Sequence, residues 1–257
     1  MLQIFRRIRK TLFKTGKLRQ YLAYAIGEII LVVIGILLAV QINTWNNHRK
    51  ERALEHVYYQ KLLEDVRQDS ATVKKEIFES DQRIQHANTL LALLQQPTPD
   101  NAEVMAAILG AISKTTYAFK PSKAAFDDIK SSGNLPIITD LKLKNQLINY
   151  YAIVDGYTDV LDVNSDAAVN IFYNPADDLA ALGWQYLDYV KKEIDTTRVD
   201  FDKIYSGTFP TEEVRKKLTS DAIAYLTTSA RKKFLYNEMY AEVDKMRLAL
   251  LQKCTSD

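Results

Sequence analysis

The chain has 257 residues, 47% of them apolar, a formal charge of +2 and a single cysteine, which is enough apolar material for a sizeable core beside a membrane segment. Residues 1–20 hold seven of the cations (Arg6, Arg7, Arg9, Lys10, Lys14, Lys17 and Arg19) and no acid. The remainder therefore carries −5 and has no basic excess for a nucleic-acid face. Cys254 has no partner for an intrachain disulfide and assigns no redox compartment.

The basic tail "FRRIRKTLFKTGKLR" is amphipathic, with Ile4, Phe5, Ile8, Leu12 and Phe13 able to lie among lipid headgroups. Twenty residues are too few for an enzymatic domain, so the tail's main expected role is to set topology. Leu22 to Ile42 follows with 13 Leu, Ile or Val in 21 residues, a helix of about 30 Å at ~1.5 Å per residue, which matches the hydrocarbon layer. A central acid costs about 2.5 to 3.5 kcal/mol on insertion scales, and the aliphatic residues outweigh it at roughly −0.3 to −0.6 kcal/mol each. The run is too long for a signal-peptide core, and "AVQINTWNN" lacks a small-x-small cleavage pattern. An uncleaved signal anchor is expected, its N-terminus cytoplasmic by the positive-inside rule, with Tyr21, Tyr24 and Trp45 at the two interfaces.

Within that anchor, Ala23, Gly27, Gly35 and Ala39 recur at spacings of four and eight and form a small-residue stripe on which a second helix can pack closely. Glu28 lies at the edge of the stripe, about 9 Å inside the helix start. A carboxyl at that depth favours a contact with another helix, either a second copy or another inner-membrane protein, over exposure to lipid.

Beyond Asn46 the period stays helical. Tyr59, Leu63, Val66, Ser70, Val73, Ile77, Ser80, Ile84, Ala87, Leu91 and Leu94 step by three and four in a heptad-like, coiled-coil seam. The prolines of "QQPTPDNAEV" end it, and a shorter helix is expected over roughly residues 99–113. "PSKAAFDDIKSSGNLP" reads as a short helix capped by Ser122 and stopped at Gly133. The next helix starts from Thr139 or Asp140 and buries Leu143, Leu147, Tyr150, Val154, Leu161, Ala168 and Phe172. Asn174 and Pro175 open another, with Leu179, Leu182, Tyr186, Val190 and Ile194 on one face. After a loop through Gly207, the last helix starts at Thr211 and buries Leu218, Ala222, Tyr225, Ser229, Tyr236, Tyr240, Val243 and Leu250.

"YAIGEIILVVIGILLAVQINTWN" and "FDDIKSSGNLPIITDLKLKNQLINYY" together resemble an uncharacterised bacterial family of single-pass membrane proteins, classed as a domain of unknown function. The resemblance implies an inner-membrane anchor with a helical periplasmic domain. It implies no activity, and no catalytic residue carries over from it.

The chemistry-bearing candidates are few. Asp155, Asp159, Asp162 and Asp166 lie at i, i+4, i+7 and i+11, an acidic stripe suited to a cation or basic partner but equally to solvent. "DVNSDA" imitates a calcium loop and fails at Ala167 and Tyr173, where glycine and glutamate are needed. His48 and His56 lack the third ligand that a metal site needs. Ser131, Ser132 and Asn134 form a candidate loop for a peptide or glycan, against the simpler reading of a helix stop at Gly133.

The resulting expectation is a mainly α chain: one transmembrane helix, then an elongated antiparallel helical bundle. Residues 1–20 are a cytoplasmic tail, 21–43 the anchor and 44–257 a periplasmic domain. The expected role is non-enzymatic, binding a partner or ligand as an envelope scaffold or sensor, with a membrane-tethered hydrolase of envelope material as the alternative. No cofactor, metal ligand or catalytic residue is assigned. The expected partners are the lipid bilayer and, through the anchor, a second copy or another inner-membrane protein.

Overall fold

The computed structural model describes residues 18–116, 119–173, 183–204 and 211–255. Of these, 84% are helical and none is in a strand. Among the described residues six α-helices follow in order: α1 (Leu18–Leu94), α2 (Asn101–Ile112), α3 (Ala124–Ser131), α4 (Leu141–Phe172), α5 (Asp188–Lys191) and α6 (Glu212–Thr255). Short 3-10 turns occur at Leu135–Ile137, Trp184–Tyr186 and Phe201–Lys203. The basic tail before Lys17, the Asn174–Pro175 start with Leu179 and Leu182, and the loop at Gly207 lie outside the described residues.

Chain contacts divide the protein into two units, Met1–Val57 and Tyr58–Asp257. In the first, α1 runs from Leu18, and by length and composition its apolar start can cross a membrane. Leu31 is 67% exposed and Ile42 65%, so no protein core covers this stretch.

The second unit has two apolar clusters. The larger joins Leu62, Val66 and Val73 of α1 to Leu147, Val154 and Leu161 of α4 and to Met239, Val243 and Leu250 of α6. The smaller joins Leu90 and Leu94 to Val104 and Ile108 of α2 and to Leu218 and Tyr225 of α6. The expected core residues of α4 are all buried, and Asp140 caps that helix by accepting from the Leu143 N–H at 3.0 Å. Thr211 caps α6 through the Val214 N–H.

Three expectations need correction. Along α1 the seam runs 59, 62, 66, 69, 73, 76, 80, 83, 87, 90 and 94, all buried. Of the alternate positions expected from hydrophobicity, Ile77, Ile84 and Leu91 are only partly buried, whereas Asp69, Glu76 and Arg83 lie inside. Residues 183–194 do not form one helix, because Gly183 takes φ +81° and a 3-10 turn precedes the four-residue α5. Ser122 does not cap α3: its Oγ is not engaged with that helix's amides, and α1 supplies the acceptors instead.

Candidate functional site

On the apolar start of α1, Ala23, Gly35 and Ala39 are exposed and Gly27 and Glu28 partly so. A Cβ added at Gly27 or Gly35 would meet nothing within 4 Å. The small-residue stripe is thus an open surface with one carboxyl beside it.

The serine loop is used by the fold. The Asn134 N–H donates to the Ile129 carbonyl at 2.9 Å and the Gly133 N–H to that of Lys130 at 3.2 Å, a Schellman stop that requires the φ of +72° seen at Gly133. Both Ser131 and Ser132 donate to the Asp128 carbonyl, at 3.3 and 2.6 Å. Asn134 Nδ2 donates to the Tyr58 hydroxyl at 2.7 Å. All three side chains are therefore spent on ending α3 and tying it to α1.

The acidic stripe is divided. Asp155 is paired with Lys123, whose Nζ lies 2.6 Å away. Asp159, Asp162 and Asp166 are exposed and make no ion pair with any described residue. No group of three His, Cys, Asp or Glu side chains is placed to hold a metal ion among the described residues.

Hydrophobicity alone missed a set of charged side chains that close helix ends from neighbouring helices. At the start of α3, Asp65 accepts from the Ala125 N–H at 2.9 Å and Asp69 from the Ser122 N–H at 2.8 Å. The second Asp69 oxygen accepts from the Tyr150 hydroxyl at 2.8 Å. Burial raises the Asp69 pKa, and these hydrogen bonds oppose the rise. Burial likewise raises Tyr150, with the Asp69 charge as the second cause.

Cations do the same at carboxyl ends, where orphan carbonyls carry partial negative charge. After α2, Arg83 Nη1 donates to the Ser113 carbonyl at 3.2 Å and Nη2 to Ser80 Oγ at 2.8 Å. Lys232 Nζ donates to the Thr115 carbonyl at 2.6 Å. Between them Lys114 sits at φ +56°, with its ammonium 2.6 Å from Glu79. After α1, Arg215 donates to the carbonyls of Leu94, Gln96 and Pro97, the last two at 2.7 and 3.1 Å.

Arg83 and Lys232 are only 1% and 2% exposed. Burial lowers the Lys232 pKa to about 8, with repulsion from Arg83 as the second cause and Glu76 and Asp162 opposing. Burial also raises Glu76, against the attraction of both cations. Among the described residues Arg83 Nε is buried without a hydrogen-bond partner. This network holds helix ends, and its amine is bonded to a carbonyl rather than presented to a substrate. The sequence did contain a signal for it: Asp69, Glu76 and Arg83 continue the seven-residue spacing between Leu62 and Leu90.

A cleft of about 410 Å³ lies between α2 and the 183–187 segment and is lined by Met105, Leu109, Tyr186 and Leu187. Asp100, the carboxylate among the described lining residues, accepts from the Glu103 N–H as the α2 cap. The cleft can receive an apolar group. A family model described as a family of unknown function (DUF6090) matches residues 28–164. No curated protein and no solved structure matches the chain.

Proposed function

We propose, for a chain that belongs to this family of unknown function, a membrane-anchored and non-enzymatic role: a periplasmic helical domain that binds a partner or ligand, held by an anchor that associates with a second helix. The observation that carries this reading is the uncovered apolar stretch Leu22–Ile42, whose Leu, Ile and Val side chains are about half exposed or more. In water that surface would be an aggregation site, and a bilayer removes the cost. The seven basic residues before it favour a cytoplasmic N-terminus in a bacterial inner membrane.

For the domain we infer an elongated antiparallel bundle. Supporting this, partners on α6 move backward as α1 moves forward: Lys74 lies over the Tyr240 ring, Asp81 meets Lys233, and the α1 end meets Arg215. Lys253 at the end of α6 lies 2.9 Å from Asp140 at the start of α4.

The test is Glu28 itself. In a membrane-helix association assay and in partner recovery from gently solubilised membranes, Glu28→Gln should preserve association, because an amide and a protonated acid both donate and accept. Glu28→Leu should weaken it by about 1 kcal/mol, and Gly35→Leu should weaken it by blocking close approach. Glu28→Leu leaving both readouts unchanged would refute the contact. A periplasm-dependent reporter fused at the C-terminus should be active, and its silence would overturn the orientation.

A further inference from the structure

Just beyond its apolar stretch, α1 carries Trp45, Arg49 and Arg52 at i, i+4 and i+7, which places the three on one face of the helix. All are exposed, Trp45 at 66%. The other charged or titratable residues of this stretch are His48, Lys50, Glu51, Glu55 and His56. Neither carboxylate neutralises the face: Glu51 lies 3.2 Å from His48, and Glu55 is buried. Arg49, Lys50 and Arg52 make no ion pair with any described residue.

Position along the helix supplies the missing counter-charge. Arg49 and Arg52 stand seven and ten residues past Ile42, about 10 and 15 Å along the axis at ~1.5 Å per residue. The polar layer outside each face of the hydrocarbon is about 5–8 Å deep. Helical side chains tilt toward the N-terminus, which here is toward the apolar stretch, and the apolar arginine stem lets the guanidinium reach back into that layer. Trp45, about 5 Å past Ile42 along the axis, falls within it. Phosphate oxygens are the acceptors there, and a guanidinium meets them with two parallel N–H bonds. A zwitterionic lipid covers its phosphate with its own ammonium, whereas an anionic one leaves it for the arginines. A second copy of the chain would bring the same cations to the face and be repelled.

We propose that Trp45, Arg49 and Arg52 form a binding site for the headgroup of an anionic phospholipid in the leaflet at the C-terminal end of the span. The proposal rests on the membrane-anchored reading above and adds the class of lipid that the anchor selects.

The full-length Trp184→Phe protein, which keeps Trp45 as its tryptophan, is reconstituted in vesicles of phosphatidylcholine and phosphatidylglycerol. One lipid at a time carries bromine high on its acyl chains, where it quenches the fluorescence of a neighbouring indole. Brominated phosphatidylglycerol should quench Trp45 with about fivefold preference over brominated phosphatidylcholine at equal mole fraction, and the preference should shrink as salt rises. Arg49→Gln with Arg52→Gln should abolish the preference while phosphatidylcholine still quenches. Arg231→Gln, at an exposed cation of α6, should leave it unchanged, and circular dichroism confirms that the variants stay helical. Trp45 reports the lipid beside its own end of the span, so the basic residues before it at the other end do not contribute.

Equal quenching by the two lipids would overturn the proposal, as would a preference that survives the double substitution. Loss of the preference when inorganic phosphate replaces chloride at equal ionic strength would assign the cations to a free anion and overturn it too. If neither lipid quenched Trp45, the membrane-anchored reading itself would fail; quenching by both alike would remove the lipid site and leave the anchor standing.

Discussion

Burial of the Lys232 amine sets a cost of the buried network that pH should reveal. Its folded-state pKa is about 8 against an ordinary 10.5, which corresponds to about 3 kcal/mol at 1.36 kcal/mol per pH unit. Between those two values the unfolded chain binds the proton and the folded chain does not, so stability should rise with pH; below about 8 the full penalty is present. The raised pKa of Asp69 and Glu76 acts at more acidic pH. The buried tyrosines, held neutral when folded, cost nothing until pH 10 and destabilise nothing below it.

Lys232→Met keeps an unbranched side chain of similar length, removes the buried charge and leaves Arg83 with Glu76 as neighbours. It gives up the bond to the Thr115 carbonyl, about 1 kcal/mol, so the expected net gain at pH 7 is about 2 kcal/mol. Urea unfolding of the full-length protein in zwitterionic micelles, followed by far-ultraviolet circular dichroism at pH 7.0 and 9.5, reads both effects. The variant should be the more stable protein at pH 7, with the advantage shrinking at pH 9.5. A variant less stable at pH 7, or a difference independent of pH, would refute the argument that the amine is charged at a cost.

Two further outcomes follow from the helix ends. Arg215→Ala should destabilise by about 2 kcal/mol, since it frees three carbonyls at the end of α1, and the same unfolding assay detects it; a loss under about 0.5 kcal/mol would make the clamp incidental. Gly110→Ala places a Cβ 2.3 Å from the His86 ring, so it should destabilise the wild type. In a His86→Ala background it should instead stabilise by up to about 1 kcal/mol through helix propensity, and additivity of the two substitutions would disprove the contact.

The sequence revealed the features that arise from local chemistry. The prolines after Leu94, Asp140 before α4 and Gly133 after α3 each act within a few residues, and each marks a helix end that the structure has. The α1 seam was half legible: the steps of three and four were visible, but Ile77 and Ile84 outranked Glu76 and Arg83 on hydrophobicity. That ranking fails because Arg83 and Asp69 are buried to meet backbone groups 30 or more residues away, at Ser113 and Ser122, and Glu76 lies inside beside the Arg83 and Lys232 charges. Ser122 has a side chain suited to a cap, but the acceptors for that helix start belong to Asp65 and Asp69. Contacts of such separation leave no local signature. The three loop residues Ser131, Ser132 and Asn134 were locatable as a sharp stop, and their hydrogen bonds are those of the stop.

The capping pattern has a consequence for what can be cut from this protein. Helices of 12 and 8 residues, such as α2 and α3, are too short to persist alone in water, and the groups that finish them sit on α1 and α6. The family match ends at residue 164, while Lys232 and Arg215, which close α2 and α1, lie well beyond it. A fragment trimmed to the matched residues would lose both cations together with the apolar side of α6, baring Leu147, Val154 and Leu161. The recognisable segment is therefore not an autonomous folding unit, and the C-terminal helix is a structural component of the domain rather than an appendage to it.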